Sequence, residues 1–558
     1  MKFFHLFIIP FIVIASIIGI YHFSSHKSFD ATTAYSNDND LASPSHNILL
    51  VPLDSRPPCL DLVMETAKLT ETKIIVPPSG IMDYYSQPGD TEKIKSWTSE
   101  NIKECDAAII SVDQLLHGGL LASREAKKTW DDAQKTIDFL ISLHNEHPDV
   151  PLYVFSVLPR LSPPDSIDGR DERRDLMRYS RLSDIVSQAK PPTKDALTEL
   201  EQLREKIPPK SLAHYENLFK YNEKLNEELI ELTKNGIIYE LVIGLDDGEK
   251  YGIPNIERRN LETKIAQIDT AHKITVTHGA DEIALSILAA IEAKRENYNA
   301  KIFVSYNDDA AANMTMPYMA ISNEESVKEK INMMNCKLSS QKDADFTLFI
   351  SSFDTPLLSA RKKNADYIKN AIDSKKHISL VDLSKNFKAE ETLLPRLIKN
   401  ATPIHSLTAY AGWNTASNSI GTAIAHAVLY EIGLRRCKSE NDIVKLCEKQ
   451  FALLDERFID DCFYQKDIID GINHSLRKEN YRDINDLDLE HNSIWANAML
   501  QTAIKKRADI LSSSEAYRAP MTISLQNDQT INISATSLKA DAYFPWPRTF
   551  EIRVTTVE

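Results

Sequence analysis

AAIISVDQLLHGGLLASR, residues 107–124, decides how the chain reads. It opens on an apolar run without polar alternation, as a strand buried on both faces does. An acid (Asp113), a histidine (His117), two glycines (Gly118, Gly119) and an arginine (Arg124) follow at once. The unit is therefore a buried strand whose carboxyl end delivers polar chemistry.

The same unit recurs. Apolar runs stand at Ile48–Val51, Lys73–Val76, Ala107–Ile110, Leu152–Phe155, Tyr239–Ile243, Ile274–Val276, Lys301–Val304, Phe346–Ile350, Ile378–Val381 and Ile404–Leu407. Longer charged amphipathic stretches separate them. Short strands alternating with helical spacers predict an α/β fold with a mostly parallel sheet. Ten strands suit two doubly wound, Rossmann- or flavodoxin-like lobes better than a (β/α)8 barrel, which needs eight strands and about 250 residues. A barrel with extra strands is the alternative.

The division expected is an N-terminal membrane anchor or signal segment (1–28) and a linker (29–45). Lobe 1 follows (46–278) with a helical insertion at 165–235, then lobe 2 (279–435), a helical segment (436–515) and a small β appendage (516–558). Phe3 to Phe23 carries no Lys, Arg, Asp or Glu. That is about the length a membrane helix needs. An uncleaved anchor is favoured over a cleaved signal peptide, because small residues come late after the apolar run. Either places the body outside the cytoplasm, membrane-anchored or secreted.

The formal charge of −15 in 558 residues excludes a nucleic-acid partner, which demands a basic face. Six cysteines form no CxxC pair, so they read as free thiols and not as zinc ligands. There is no GxGxxG, P-loop, GxSxG or HExxH, so neither a nucleotide cofactor nor a serine-hydrolase elbow has support. No cofactor is expected, although a divalent metal remains open.

In parallel α/β folds ligands bind beyond the carboxyl ends of the strands. The residues standing there are Asp54 and Arg56; Asp113, His117, Gly118, Gly119 and Arg124; Arg160; Asp246 and Asp247; His278 and Asp281; and Tyr410, Trp413, Asn414 and Asn418. Eight of the 15 glycines (118, 119, 244, 248, 252, 279, 412, 421) fall in these segments, where the chain turns sharply or something comes close. Turn-making accounts for part of that, and Asp281-Glu282 and Asn307-Asp308-Asp309 read first as helix starts.

At this level the chain resembles a bacterial family catalogued as domain of unknown function 4127. The resemblance rests on VPLDSRPP (51–58), VDQLLHGGLLASR (112–124), GLDD (244–247), HGADEIALSILA (278–289), AYAGWNTASNSIGTAIA (409–425) and FPWPRTF (544–550). The segment near Met314–Met319 departs from that pattern. The family brings no activity with it, so the resemblance implies a shared site without a named reaction.

Three chemistries fit the strand-end residues. A hydrolase acting on a carbohydrate or cell-envelope glycan needs two carboxyl groups. Asp54, Asp113 and one of Asp246 or Asp247 are the candidates. Trp413 and Tyr410 would face sugar, and Asn414 and Asn418 would read hydroxyls. A metal-assisted hydrolase would draw on Asp54, Asp113, His117, Asp246 and His278. A non-catalytic glycan- or solute-binding protein is the third. Arg56, Arg124 and Arg160 add an anion clamp to any of them. The expected partners are a small-molecule or glycan ligand and, through residues 1–28, the membrane.

Overall fold

The structure, a computed structural model, describes residues 44–125, 127–353, 358–479, 487–488, 492–524 and 530–557. The apolar stretch Phe3–Phe23 and most of the linker lie outside these. Among the described residues no helix is long and apolar enough to cross a membrane.

Two open parallel sheets form the body, and no barrel closes. The first holds β1 (His46–Val51), β2 (Thr72–Ile75), β3 (Ala107–Ser111), β4 (Leu152–Leu158), β5 (Glu240–Leu245) and β6 (Ile274–His278) in the order β2-β1-β3-β4-β5-β6. The second holds β7 (Lys301–Tyr306), β8 (Lys337–Leu338), β9 (Phe346–Phe353), β10 (Ile378–Ser384) and β11 (Leu407–Ala411) in the order β11-β10-β9-β7-β8. β3 and β4 are buried at every position, which is why they read as unbroken apolar runs. Register is tight at the centre: Leu50 pairs Ile109 and Val51 pairs Ile110. All six strands of the first sheet therefore end along one edge.

The tenth strand sits later than the sequence suggests. Ile404–Ser406 is a 3-10 turn after Pro403, and β11 begins only at Leu407. Proline fixes φ and supplies no N–H, so the apolar Ile404 is drawn into a buried turn and not into the ladder. The two-residue β8 was not legible as a strand.

Two helices fill the space between the sheets. Ile283–Arg295 lies on β3 and β4; Ala416–Arg436 lies on β9, β10 and β11; the two pack on each other. Each is apolar nearly all round, as a helix covered on both sides must be. Their seam also carries buried charge. Glu292 pairs with His46, and it accepts hydrogen bonds from Thr72 (3.0 Å) and Arg436 (3.0 Å). One continuous apolar core runs from Ile48 through both layers to Ile552.

The helical insertion consists of Arg170–Gln188, Lys194–Lys206 and Pro209–Lys234. Its outer part has a small core of its own, including Leu176, Tyr179 and Tyr215. The last helix doubles as the β4–β5 crossover, with Leu225 and Leu229 packed on the sheet. After Arg436 come helices Glu440–Arg457, Ile469–Lys478 and Ser493–Ser512, then hairpins β12/β13 (Met521–Ser524, Thr530–Ile533) and β14/β15 (Lys539–Tyr543, Arg553–Val557). Residues 458–468 form a π-helix, a winding that recurs at functional sites. All six cysteines are free thiols.

Candidate functional site

The β1 end is a buried ion cluster. Asp54 is fully buried, and its carboxylate accepts from Arg56 Nε (2.9 Å) and Nη2 (2.7 Å). Arg56 Nη2 also donates to Asp281 (2.6 Å), at the start of the helix after β6. The other Asp281 oxygen accepts from the amides of Asn414 (3.2 Å) and Asn418 (3.1 Å), which follow β11. Three strand ends from both sheets are thus tied through Asp281. Asn414 holds a left-handed backbone to reach it.

The β3 end carries Asp113, which accepts from the Val157 N–H (2.9 Å) on the neighbouring strand β4. Burial pushes its pKa up to about 7, although the Val157 and Ser123 hydrogen bonds favour the charged form. His117 turns away from this edge. Its ring stands 6.2 Å from Tyr221, under the helices on the far face of the sheet, and burial followed by Lys128 pushes its pKa down to about 3. It is a neutral core histidine in this fold, not a ligand to anything at the strand ends.

The glycine pair beside it serves close packing. Gly118 has φ +79°, and a Cβ there would lie 2.6 Å from the Gly89 carbonyl oxygen. Gly119 abuts the Asp83 carboxyl, and Asp83 in turn accepts from the Ser55 N–H (3.0 Å). The two glycines let the β3 turn press on the loop that braces the β1 turn.

Arg124 reaches across to β5. Its Nε donates to Asp246 Oδ2 (2.9 Å), and Nη2 pairs with the same oxygen. Burial opposes the Asp246 charge, but Arg124 and then Arg160 hold its pKa below the ordinary range. Asp247 goes the other way. Burial, then the charge of Asp246, push it up to about 7. Two adjacent carboxyl groups thus rest in opposite protonation tendencies.

At the β6 end, His278 Nδ1 meets the Glu329 carboxylate (3.0 and 3.1 Å), which also accepts from the His278 N–H (2.8 Å). His278 is 4% exposed, and its Nε2 is buried with no hydrogen-bond partner. Beneath it Lys330, fully buried, pairs with Glu282 and donates to Thr277 Oγ1 (2.9 Å) and the His278 carbonyl (2.5 Å). This second ion pair fixes the loop from which His278 projects.

These groups surround adjoining hollows at the strand ends. One is lined by Asp246, Asp247, His278, Gly279, Tyr318, Thr415 and Asn418. The next is lined by Pro159, Leu161, Asp246, Tyr251 and Asn255, and it shares His278. A third lies toward β11, between Asp281, Trp413, Asn418, Arg457 and Asp461. Asp461, from the π-helix, accepts from the Gly412 N–H (2.8 Å) and pairs with Arg457 (2.8 Å). The π-winding thus delivers an acid to the β11 turn.

The two expected aromatic residues are placed differently. Tyr410 is fully buried, donates to Asp382 (3.2 Å) and packs on Phe458. Trp413 is 6% exposed and lies 6.3 Å from Phe550. Tyr410 faces the core, whereas Trp413 lies on the wall of the third hollow under Phe550 of the C-terminal tail. An aromatic ring on the Asp247 and His278 hollow is Tyr318, 58% exposed. Its backbone is left-handed and its carbonyl accepts from the Gly248 N–H (3.0 Å).

Most of the expected residues therefore gather at one edge: Asp54, Arg56, Asp113, Arg124, Arg160, Asp246, Asp247, His278, Asp281, Asn414 and Asn418. Glu329, Lys330, Asp83 and Asp461 escaped the sequence reading: the first two sit in a charged stretch that looks like a solvated face, and neither of the other two directly follows a strand end. Trp546 was visible only within the FPWPRTF motif; its Nε1 donates to Ser55 Oγ (3.1 Å), and Arg548 stacks on its ring (4.8 Å). Among the described residues no group of three or more His, Cys, Asp or Glu side chains is arranged to hold a metal ion.

No curated protein and no solved structure matches the chain. Residues 48–555 match the family described as Protein of unknown function (DUF4127), and the chain belongs to that family.

Proposed function

We propose that the chain is a hydrolase acting on a carbohydrate or cell-envelope glycan by acid/base chemistry in the hollow between β5, β6 and the Thr415–Asn418 turn. The observation that carries this reading is the pairing of Asp247, held near neutrality, with an His278 Nε2 that has no partner, on the walls of one hollow. Asp247 protonates the leaving oxygen. His278, oriented by Glu329, takes the proton of the attacking water. Asp246, kept ionised by Arg124, supplies fixed negative charge where an oxocarbenium-like centre develops. Asp54 and Asp113 act as braces in this scheme, the first holding Arg56 and the second anchoring β3 to β4. Tyr318 is the ring available to a sugar face, and Thr415 and Asn418 are available to hydroxyls.

The apolar Phe3–Phe23 stretch supports a place at the membrane with the body outside the cytoplasm, where envelope glycans lie. The test is product release from a broad panel of glycans and aryl glycosides by the purified chain. Asp247→Asn and His278→Gln should each lower the rate by about 10²-fold or more while ligand-induced thermal stabilisation persists. A wild-type chain that is stabilised by a sugar yet releases no product is a binding protein, and the catalytic reading then falls.

A further inference from the structure

Arg160 follows β4 between Pro159 and Leu161, both of which line the hollow that also contains Asp246 and His278. The neighbouring arginines are committed: Arg124 to Asp246, and Arg56 to Asp54 and Asp281. Arg160 is not. Among the described residues no carboxylate lies within ion-pair distance of it, and its Nε is buried without a hydrogen-bond partner. The like charge of Arg124 is the strongest influence on its guanidinium, followed by burial; both lower its pKa, against Asp246 and Asp247.

A buried donor left unpaired costs stability, and so does holding one guanidinium in the field of another. Arg160 helps Asp246 stay ionised through space, but among the described residues it makes no hydrogen bond or ion pair that would offset these costs directly. An anion on the guanidinium offsets the repulsion from Arg124 and gives the group the partner it lacks. We propose that Arg160 forms an anion subsite of the cleft: the ligand carries a carboxylate or phosphate group, and the guanidinium takes it while the rest of the ligand lies over Asp247 and His278. The substrate class is then an acidic sugar, a uronate or a sugar phosphate, and not a neutral glycan. This rests on reading the hollow as the ligand site, not on turnover.

The full chain and its Arg160→Gln variant are titrated with inorganic phosphate, with glucuronate and with glucose at constant ionic strength, by calorimetry and thermal shift. The wild type should bind at least one of the two anions, and Arg160→Gln should bind it at least about tenfold more weakly. Glucose should not distinguish the two proteins. Phosphate alone points to a phosphorylated ligand, and glucuronate alone to a carboxylate. Equal anion binding by both proteins, or none by the wild type up to about 50 mM, overturns the subsite. Ligand-free Arg160→Gln should still melt cooperatively and close to the wild type, since Asp246 keeps Arg124 as its direct partner. If it does not fold, Arg160→Lys takes its place: the loss of the planar two-point fit should weaken binding severalfold, and unchanged affinity overturns the proposal. Arg160-dependent anion binding by a chain that releases no product keeps this inference and removes the catalytic one. Turnover of neutral glycosides by a chain indifferent to both anions does the reverse.

Discussion

Asp113→Asn separates a brace from a catalyst. In the folded chain the Asp113 pKa is pushed up to about 7 by burial, from an ordinary value of 3.8. A carboxyl whose pKa is higher folded than unfolded binds protons preferentially in the folded state, so it loses stability as pH rises. The loss begins near the unfolded value, around pH 4, and is complete once the folded group has ionised, above pH 7. The span is about three pH units at ~1.4 kcal/mol each, so the ionised group opposes folding by at most ~4 kcal/mol at pH 8. Asparagine removes that ionisation. Its Oδ1 still accepts from the Val157 N–H, the bond Asp113 makes at 2.9 Å. The variant should therefore match the wild type, or fall slightly below it, at pH 4, and exceed it by up to ~4 kcal/mol at pH 8. Urea midpoints of both proteins at pH 4, 5.5 and 8 measure this. A stability difference that stays flat across that range refutes the reasoning, because the carboxyl would then ionise alike in both states. Loss of all turnover with unchanged ligand binding would return Asp113 to the chemistry.

Three further perturbations probe how the site is held. Gly118→Ala forces an alanine into φ +79° with its Cβ 2.6 Å from the Gly89 oxygen, and should cost about 2–4 kcal/mol, read as a drop in thermal midpoint; no drop would mean the β3 turn does not press on the 82–90 loop. Lys330→Met strands the buried Glu282 carboxylate and should cost about 3–5 kcal/mol, most of it restored by adding Glu282→Gln; a double variant no better than the single one contradicts the pairing. Trp546→Ala deletes the ring that meets Ser55 and Arg548, at a cost of about 3–5 kcal/mol, and should expose the tail after Phe544 to limited proteolysis.

The parallel α/β plan was legible because its strands are buried on both faces: Ala107–Ser111 and Leu152–Leu158 cannot be read as anything but sheet or buried helix, and their shortness between long helical spacers settles which. Strand-end residues then pointed to one edge, and Asp54, Asp113, Asp246, His278 and Asn418 do meet there. Orientation within that edge was not legible. Asp246 and Asp247 are adjacent in sequence, yet only Asp246 is engaged by Arg124, a partner 122 residues away. Tyr410 and Trp413 sit beside a glycine and two asparagines, but strand alternation turns Tyr410 into the core and the C-terminal tail covers most of Trp413. Glu329 and Lys330 lie in NEESVKEKI, which has the composition of a solvated helix; burial against β6 and Ala416–Arg436 is a property of the assembled layers alone. Trp546 reaches Ser55 across 491 residues, a contact no local pattern announces.

The central claim, that Asp247 acts as the proton donor opposite His278, is met most directly by the pH dependence of glycoside cleavage. With a poor leaving group, the wild-type rate should fall as pH rises through about 7, where Asp247 loses its proton. In Asp247→Asn that falling limb should vanish, with the remaining activity confined to activated aryl glycosides that need no acid. A limb that persists unchanged in Asp247→Asn contradicts the account.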